Sequence, residues 1–123
     1  MGRHLRHGGR GAVILCALSD LTDPGAKGPF AVELDGETRQ VFVVLHDGQL
    51  RGYVNSCPHV GAPLEMEADK FLDLTGSEIM CSVHAARFDP LTGDCVWGPC
   101  RGRRLTPVAV AVADGRVVVE NRQ

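Results

Sequence analysis

Short apolar runs rich in valine alternate with turn signals along most of the chain. Residues 13–17, 30–34, 41–45 and 50–54 each read as a strand, and so do 108–112 and 116–120. β-Branched side chains are stiff at χ1 and fit a pleated surface better than a helix. The turns between the runs carry their own signature. Asp35-Gly36, Asp47-Gly48 and Asp114-Gly115 each sit between β-rich runs, the strongest short-range hairpin signal. Asp23-Pro24-Gly25 opens a loop expected to end near Gly28-Pro29. No segment keeps a helical period over three turns, and residues 65–74 have room for one helical turn. The expected class is all-β, a small sandwich or barrel of short antiparallel strands.

Composition narrows the picture. A chain of 123 residues with 44% hydrophobic content fits one domain with a real core, which needs no disulfides to fold. Residues 1–11 are basic and glycine-rich without apolar periodicity, and read as a solvated tail ahead of a domain over 12–123. A formal charge of -2 argues against nucleic acid as the main partner. No apolar run is long enough to span a bilayer. The run at 12–18 follows Arg3, Arg6 and Arg10, but Ser19-Asp20 and Asp23-Pro24 stand where a small-residue cleavage site would be expected. The expected location is the cytoplasm.

Between the run ending at Val54 and the run beginning at Val108, strand signals thin out and cysteine, histidine, glycine and proline gather. Five cysteines stand at positions 16, 57, 81, 95 and 100, an odd number that does not suit a paired scaffold. His59 follows Cys57 by two positions and His84 follows Cys81 by three. Each of the two segments offers one thiolate and one imidazole. Structural zinc with two Cys and two His usually pairs like with like, whereas here each segment mixes them. A Cys and a His one residue apart are awkward ligands for one small tetrahedral ion. They suit a two-metal cluster in which thiolate and imidazole reach different metals. The competing readings are zinc, or ordinary buried histidines with cysteines as small apolar fillers.

C-x-H, then the 21 residues at positions 60–80, then C-x-x-H resembles the Rieske iron–sulfur signature. The resemblance runs from about residue 12 to 121. It includes Gly61, Ala62, Pro63 and Leu64 after the first pair, and Phe88-Asp89-Pro90-Leu91-Thr92-Gly93 after the second. Gly98-Pro99 looks like the family's proline loop. The resemblance implies a Rieske-type β-sandwich with a cluster-binding subdomain over about 55–104. It also implies one 2Fe–2S cluster, with Cys57 and Cys81 on the inner iron and His59 and His84 on the outer one. The spacing is longer than in many members, and the excess at residues 67–76 is polar enough to bulge outward. Relatives in cytochrome bc complexes join their cluster loops by a disulfide whose cysteines would fall at Ala62 and Val83, so that bridge is absent. Cys16 reads as core, and Cys95 and Cys100 as free thiols.

Ligation sets the chemistry that the resemblance implies. Neutral imidazoles in place of two thiolates make the cluster easier to reduce, so Rieske centres span roughly -150 to +300 mV against about -400 mV for plant-type ferredoxins. Hydrogen bonds to the sulfurs tune the value further. High-potential relatives carry a serine and a tyrosine at the positions of Ala86 and Phe88, neither of which can donate a side-chain hydrogen bond. The expectation is a low-potential ferredoxin. It would be an electron-transfer component, not an enzyme by itself, taking electrons from a flavin reductase and passing them to a terminal oxygenase. A small subunit of a nitrite-reductase-like assembly and an iron- or redox-sensing module are the alternatives. Outside the core pattern, His46 reads as solvent-exposed and Trp97 as packing or partner surface. Arg101, Arg103 and Arg104 read as a solvated face bordering the docking surface.

Overall fold

The computed structural model describes residues 12–34, 36–58, 61–65, 67–82 and 86–120. The tail read at residues 1–11 lies outside them. The strands are β1 (Ala12–Ala17), β2 (Gly25–Leu34), β3 (Glu37–His46), β4 (Gln49–Val54), β5 (Ile79–Met80), β6 (Arg87–Phe88), β7 (Cys95–Trp97), β8 (Pro107–Val108), β9 (Val110–Ala113) and β10 (Arg116–Glu120). Among the described residues there is no α-helix; the one helical piece is a 3₁₀ turn at Leu18–Asp20. Among the described residues no helix is long and apolar enough to cross a membrane. The strands form three antiparallel sheets, ordered β1-β10-β9, β2-β3-β4-β8 and β5-β6-β7. The all-β, antiparallel class expected from the valine-rich runs is what the chain adopts.

The Asp-Gly signals mark tight turns. Asp47 and Gly48 have φ of 52° and 74°, and Asp114 and Gly115 repeat those values. Both central residues of a type I′ turn need positive φ, which glycine takes without strain and aspartate tolerates. The Asp47-Gly48 turn is also held from outside, since its two backbone N–H groups donate to the Asp23 carboxylate at 2.9 and 2.7 Å.

Strand β3 explains how the fold serves two purposes. Val41, Phe42, Val43 and Val44 are all fully buried. Alternate residues of a strand face opposite sides, so an unbroken apolar run means cover on both faces. Val41 and Val43 join Leu15, Val54, Val108, Val117 and Val119 in the core of the sandwich. Phe42 and Val44 join Tyr53, Cys57, Cys81 and Phe88 in a second core under the small β5-β6-β7 sheet. The cluster-binding region predicted from cysteine and histidine therefore has an apolar floor supplied by the sandwich.

Several boundaries differ from the sequence expectation. Residues 25–29 are not loop: β2 begins at Gly25, and Gly28-Pro29 is absorbed by a register shift between Lys27 and Phe30. An irregularity in the pairing lets a strand accommodate a proline that cannot donate. The run at 108–112 splits at Ala109. Pro107 and Val108 pair with β4, while Val110–Ala113 pairs with β10, so one apolar run serves two sheets. The helical turn expected within 65–74 does not form among its described residues, which make turns and a bridge between Leu72 and Ile79. His46 is half-buried, its side chain 23% exposed with Nδ1 3.5 Å from the Asp47 carboxylate.

Candidate metal centre

The first cysteine loop leaves β4 at Val54 and is organised by Asn55, a buried polar residue. Asn55 Oδ1 accepts from Leu64 N–H at 2.9 Å, and Nδ2 donates to Glu65 Oε1 at 2.9 Å. The side chain thus fastens residues nine and ten positions on, drawing the loop into a closed bow. Inside it, Cys57 N–H donates to Ala62 O at 2.8 Å and Gly61 N–H to Cys57 O at 2.6 Å. Gly61 has φ of 78°, exposed on the rim, and Leu64 is fully buried. Asparagine beside a strand end is a weak turn signal in sequence. Its partners were not readable, because they lie across the loop.

The second loop repeats the device. Cys81 N–H donates to Ala86 O at 2.8 Å, and Arg87 and Phe88 then enter β6. Ser82 N–H donates to Leu64 O at 2.8 Å, which ties the second loop to the first. Cys57, Cys81, Ala86 and Phe88 all have no exposure and belong to one apolar cluster. The two predicted thiolate ligands are therefore brought to the same buried region from two cross-linked loops. His59 and His84, with Val83, lie outside the described residues. Among the described residues no three His, Cys, Asp or Glu side chains gather as a metal site. The donor set fits a cluster: two soft thiolates, shielded from water, with imidazoles next to each in sequence.

A third loop closes the region. Gly98 has φ of 108°, and a Cβ built there would lie 2.8 Å from Ala86 Cα. Only glycine permits that approach to the second cysteine loop. Pro99 follows it, exposed. Arg103 Nη1 donates to Pro58 O at 2.8 Å, joining the end of this loop to the first cysteine loop. Arg104 donates to Thr92 O at 3.3 Å and faces the Asp94 carboxylate at 3.5 Å. The basic run read as a solvated face is exposed, yet two of its guanidinium groups are fasteners. Cys95 and Cys100 are buried free thiols in this loop, as read from sequence. Cys16 lies half-buried against the sandwich core. Trp97 is 57% exposed and, with Val96, Glu78 and Arg87, lines an open depression of about 530 Å³. Trp97 is therefore not a core packing residue.

The excess residues between the two cysteine loops are exposed at 67–70, 74 and 75, and are fastened at three points. Phe71 is fully buried and stacks on Phe42 with centroids 4.2 Å apart and planes 4° from parallel. Such stacking contributes about 0.5–1.5 kcal/mol beyond burial. Asp69 accepts from Gly28 N–H at 2.8 Å, which holds the stretch to β2. Asp73 binds Arg87 Nη1 at 2.8 Å, which holds it to the second cysteine loop. Burial alone would raise the Asp73 pKa. Hydrogen bonds from Thr75 and from the Glu78 and Ser77 backbone, with the Arg87 charge, outweigh that and hold it below the ordinary carboxylate range. Polar composition suggested an outward bulge; one aromatic and two aspartates tie the exposed stretch to the body of the fold.

The family model described as Rieske [2Fe-2S] domain matches residues 11–119. No curated protein sequence matches the chain. Among solved structures, the ferredoxin of carbazole 1,9a-dioxygenase from Nocardioides aromaticivorans IC177 is similar with a TM-score of 0.68 and 26% identity, over 92% of this chain and 100% of that one. A ferredoxin of Sphingomonas yanoikuyae B1 gives a TM-score of 0.65 and 25% identity, over 89% and 98%. A chain in the complex of reduced oxygenase and oxidized ferredoxin in carbazole 1,9a-dioxygenase gives 0.69 and 23% identity, over 94% and 97%, a likeness of fold.

Proposed function

This chain belongs to the Rieske [2Fe-2S] domain family, which implies one 2Fe–2S cluster, and from that premise we propose a ferredoxin that draws electrons from a flavin reductase and delivers them to an oxygenase. The observation that carries the reading is the placement of Cys57 and Cys81. Both are fully buried in one apolar cluster, at the feet of two loops joined by the Ser82–Leu64 hydrogen bond. The proposed ligands are Cys57 and Cys81 for the inner iron and His59 and His84 for the outer. When bound, such a cluster takes up and releases one electron at a potential set by its ligands and their hydrogen bonds. The chain's own residues hold the thiolates in a dry site and fix the loop backbones around them. Gly61, Leu64, Ala86, Phe88, Gly98 and Pro99 are the proposed surroundings.

The chain works in electron transfer as a Rieske carrier; by itself it is a component and not a catalyst. An oxygenase partner is supported by likeness to ferredoxins of oxygenase systems. The reductase partner and a cytoplasmic location are proposed from the resemblance to ferredoxins of oxygenase systems. The exposed Trp97 and its neighbouring depression are the proposed docking side. Neither Ala86 nor Phe88 offers a side-chain donor, so the proposed potential is low within the Rieske range. Metal and sulfide analysis of anaerobically purified protein tests the ligand set. Two irons and two sulfides per chain are expected; one zinc without sulfide would refute it. His84→Cys should lower the potential or lose the cluster, and an unchanged potential and spectrum would refute the histidine's role.

A further inference from the structure

The segment Cys95-Val96-Trp97-Gly98-Pro99-Cys100 brings both of its cysteines back together. Their side chains are nearly inaccessible, 8% and 1% exposed. Cys100 Sγ and Cys95 Sγ lie 2.7 Å apart, and the Cys95 thiol donates to Trp97 O at 3.4 Å. The backbone fixes the pair. Cys95 N–H donates to Arg103 O, Arg103 N–H to Cys100 O, and Arg101 N–H to Gly98 O, at 2.9, 2.9 and 3.3 Å. Neither cysteine belongs to the proposed ligand set, and packing alone does not require two sulfurs in contact. Exchange needs a sulfur in line with a thiolate partner and a backbone that already holds the two ends together.

We propose that Cys95 and Cys100 form a reversible disulfide in response to low-molecular-weight disulfides, a redox modification site in the turn that covers the second cysteine loop. The step balances as two successive exchanges. Cys95, the less buried residue of the pair, attacks one sulfur of RSSR, and RS⁻ leaves. Cys100 then attacks the Cys95 sulfur of the mixed disulfide, and the second RS⁻ leaves. The S–S bond of RSSR breaks, one S–S bond forms in the protein, and the two thiol protons go to two RSH. Two electrons pass from the cysteine pair to the small disulfide. The turn closed by the bridge carries Gly98, whose backbone sits against Ala86. Oxidation would shut that turn as a covalent ring without a new contact elsewhere.

The cluster-loaded protein is incubated with excess oxidised glutathione, quenched in acid, then alkylated under denaturing conditions. Mass spectrometry counts the five cysteines. The expected result is loss of two alkylated thiols. The peptide holding Cys95 and Cys100 should be lighter by two hydrogens, and dithiothreitol should restore it. Cys100→Ser should instead collect glutathione at Cys95. Five alkylated cysteines after oxidation, with the cluster spectrum intact, would overturn the proposal, as would a bridge to Cys16, Cys57 or Cys81. The wild-type count decides the matter even if a variant does not fold, and does not depend on the protein's redox partners.

Discussion

Replacing Asn55 by alanine tests how the first cysteine loop is built. The side chain is 6% exposed and makes two hydrogen bonds, to Leu64 N–H and to the Glu65 carboxylate. A neutral bond contributes about 1 kcal/mol and one to a charged group roughly 1.5–3. The truncation also leaves the buried Leu64 N–H without its acceptor, and an orphaned buried donor costs about 1–3 kcal/mol. These contributions overlap, so the expected loss is about 2–4 kcal/mol. With urea m-values of about 1–3 kcal/mol per molar, the unfolding midpoint should fall by about 1–2 M. Circular dichroism in urea reads the backbone, and visible absorbance reads loss of the cluster; both should shift together. Asn55→Asp keeps the acceptor for Leu64 N–H but opposes Glu65 with a like charge, so it should fall between wild type and alanine. A midpoint for Asn55→Ala within about 0.25 M of wild type, well under 1 kcal/mol, would show that the loop holds itself without this residue.

Gly98→Ala should destabilise the cluster-loaded protein by about 1–3 kcal/mol, because its φ of 108° is unfavourable for alanine and the new Cβ meets Ala86 backbone at 2.8 Å; accelerated bleaching by a chelator reads the effect, and an unchanged rate refutes it. Phe88→Tyr should raise the potential by on the order of 59 mV, one tenfold step for one electron, if its hydroxyl reaches a ligand sulfur; redox titration checks the sign, and a fall would contradict it. Asp73→Asn should lower stability, with a pH dependence of known sign. The Asp73 pKa is depressed in the fold, so its contribution is complete above the unfolded carboxyl value of about 3.9 and disappears as pH falls through the lower folded value. Urea midpoints should separate wild type and variant above about pH 5 and draw together as pH falls below the ordinary carboxyl value of about 3.9; a constant gap would refute the assignment.

Much of this protein was readable from its sequence, for physical reasons that can be named. Valine-rich runs and three Asp-Gly turns are local signals, and local sterics decide them; strands β3, β4 and β10 follow at nearly the expected places. Cys57 and Cys81 stood out because ligand chemistry constrains residue type and spacing together, and the fold buries both in one apolar cluster. What escaped were contacts between distant segments. Nothing near Asn55 says that Leu64 will return to it. The polar stretch at 67–76 hides Phe71, whose burial depends on Phe42 across the fold. Gly28-Pro29 read as a loop end because proline opposes pairing, and only the register shift in β2 shows how it is tolerated. Arg103 read as solvated, since composition cannot reveal that Pro58 O lies within its reach.

The proposed cluster, held by two cysteines and two histidines, carries one electron. A redox titration of the anaerobically purified protein, followed by EPR of the reduced form, reads that electron. A one-electron transition near the lower limit of the Rieske range, about -150 mV, is expected, with one paramagnetic centre per chain. A potential near -400 mV would mean four thiolate ligands, and no EPR signal on reduction would mean no cluster; either result would contradict the account.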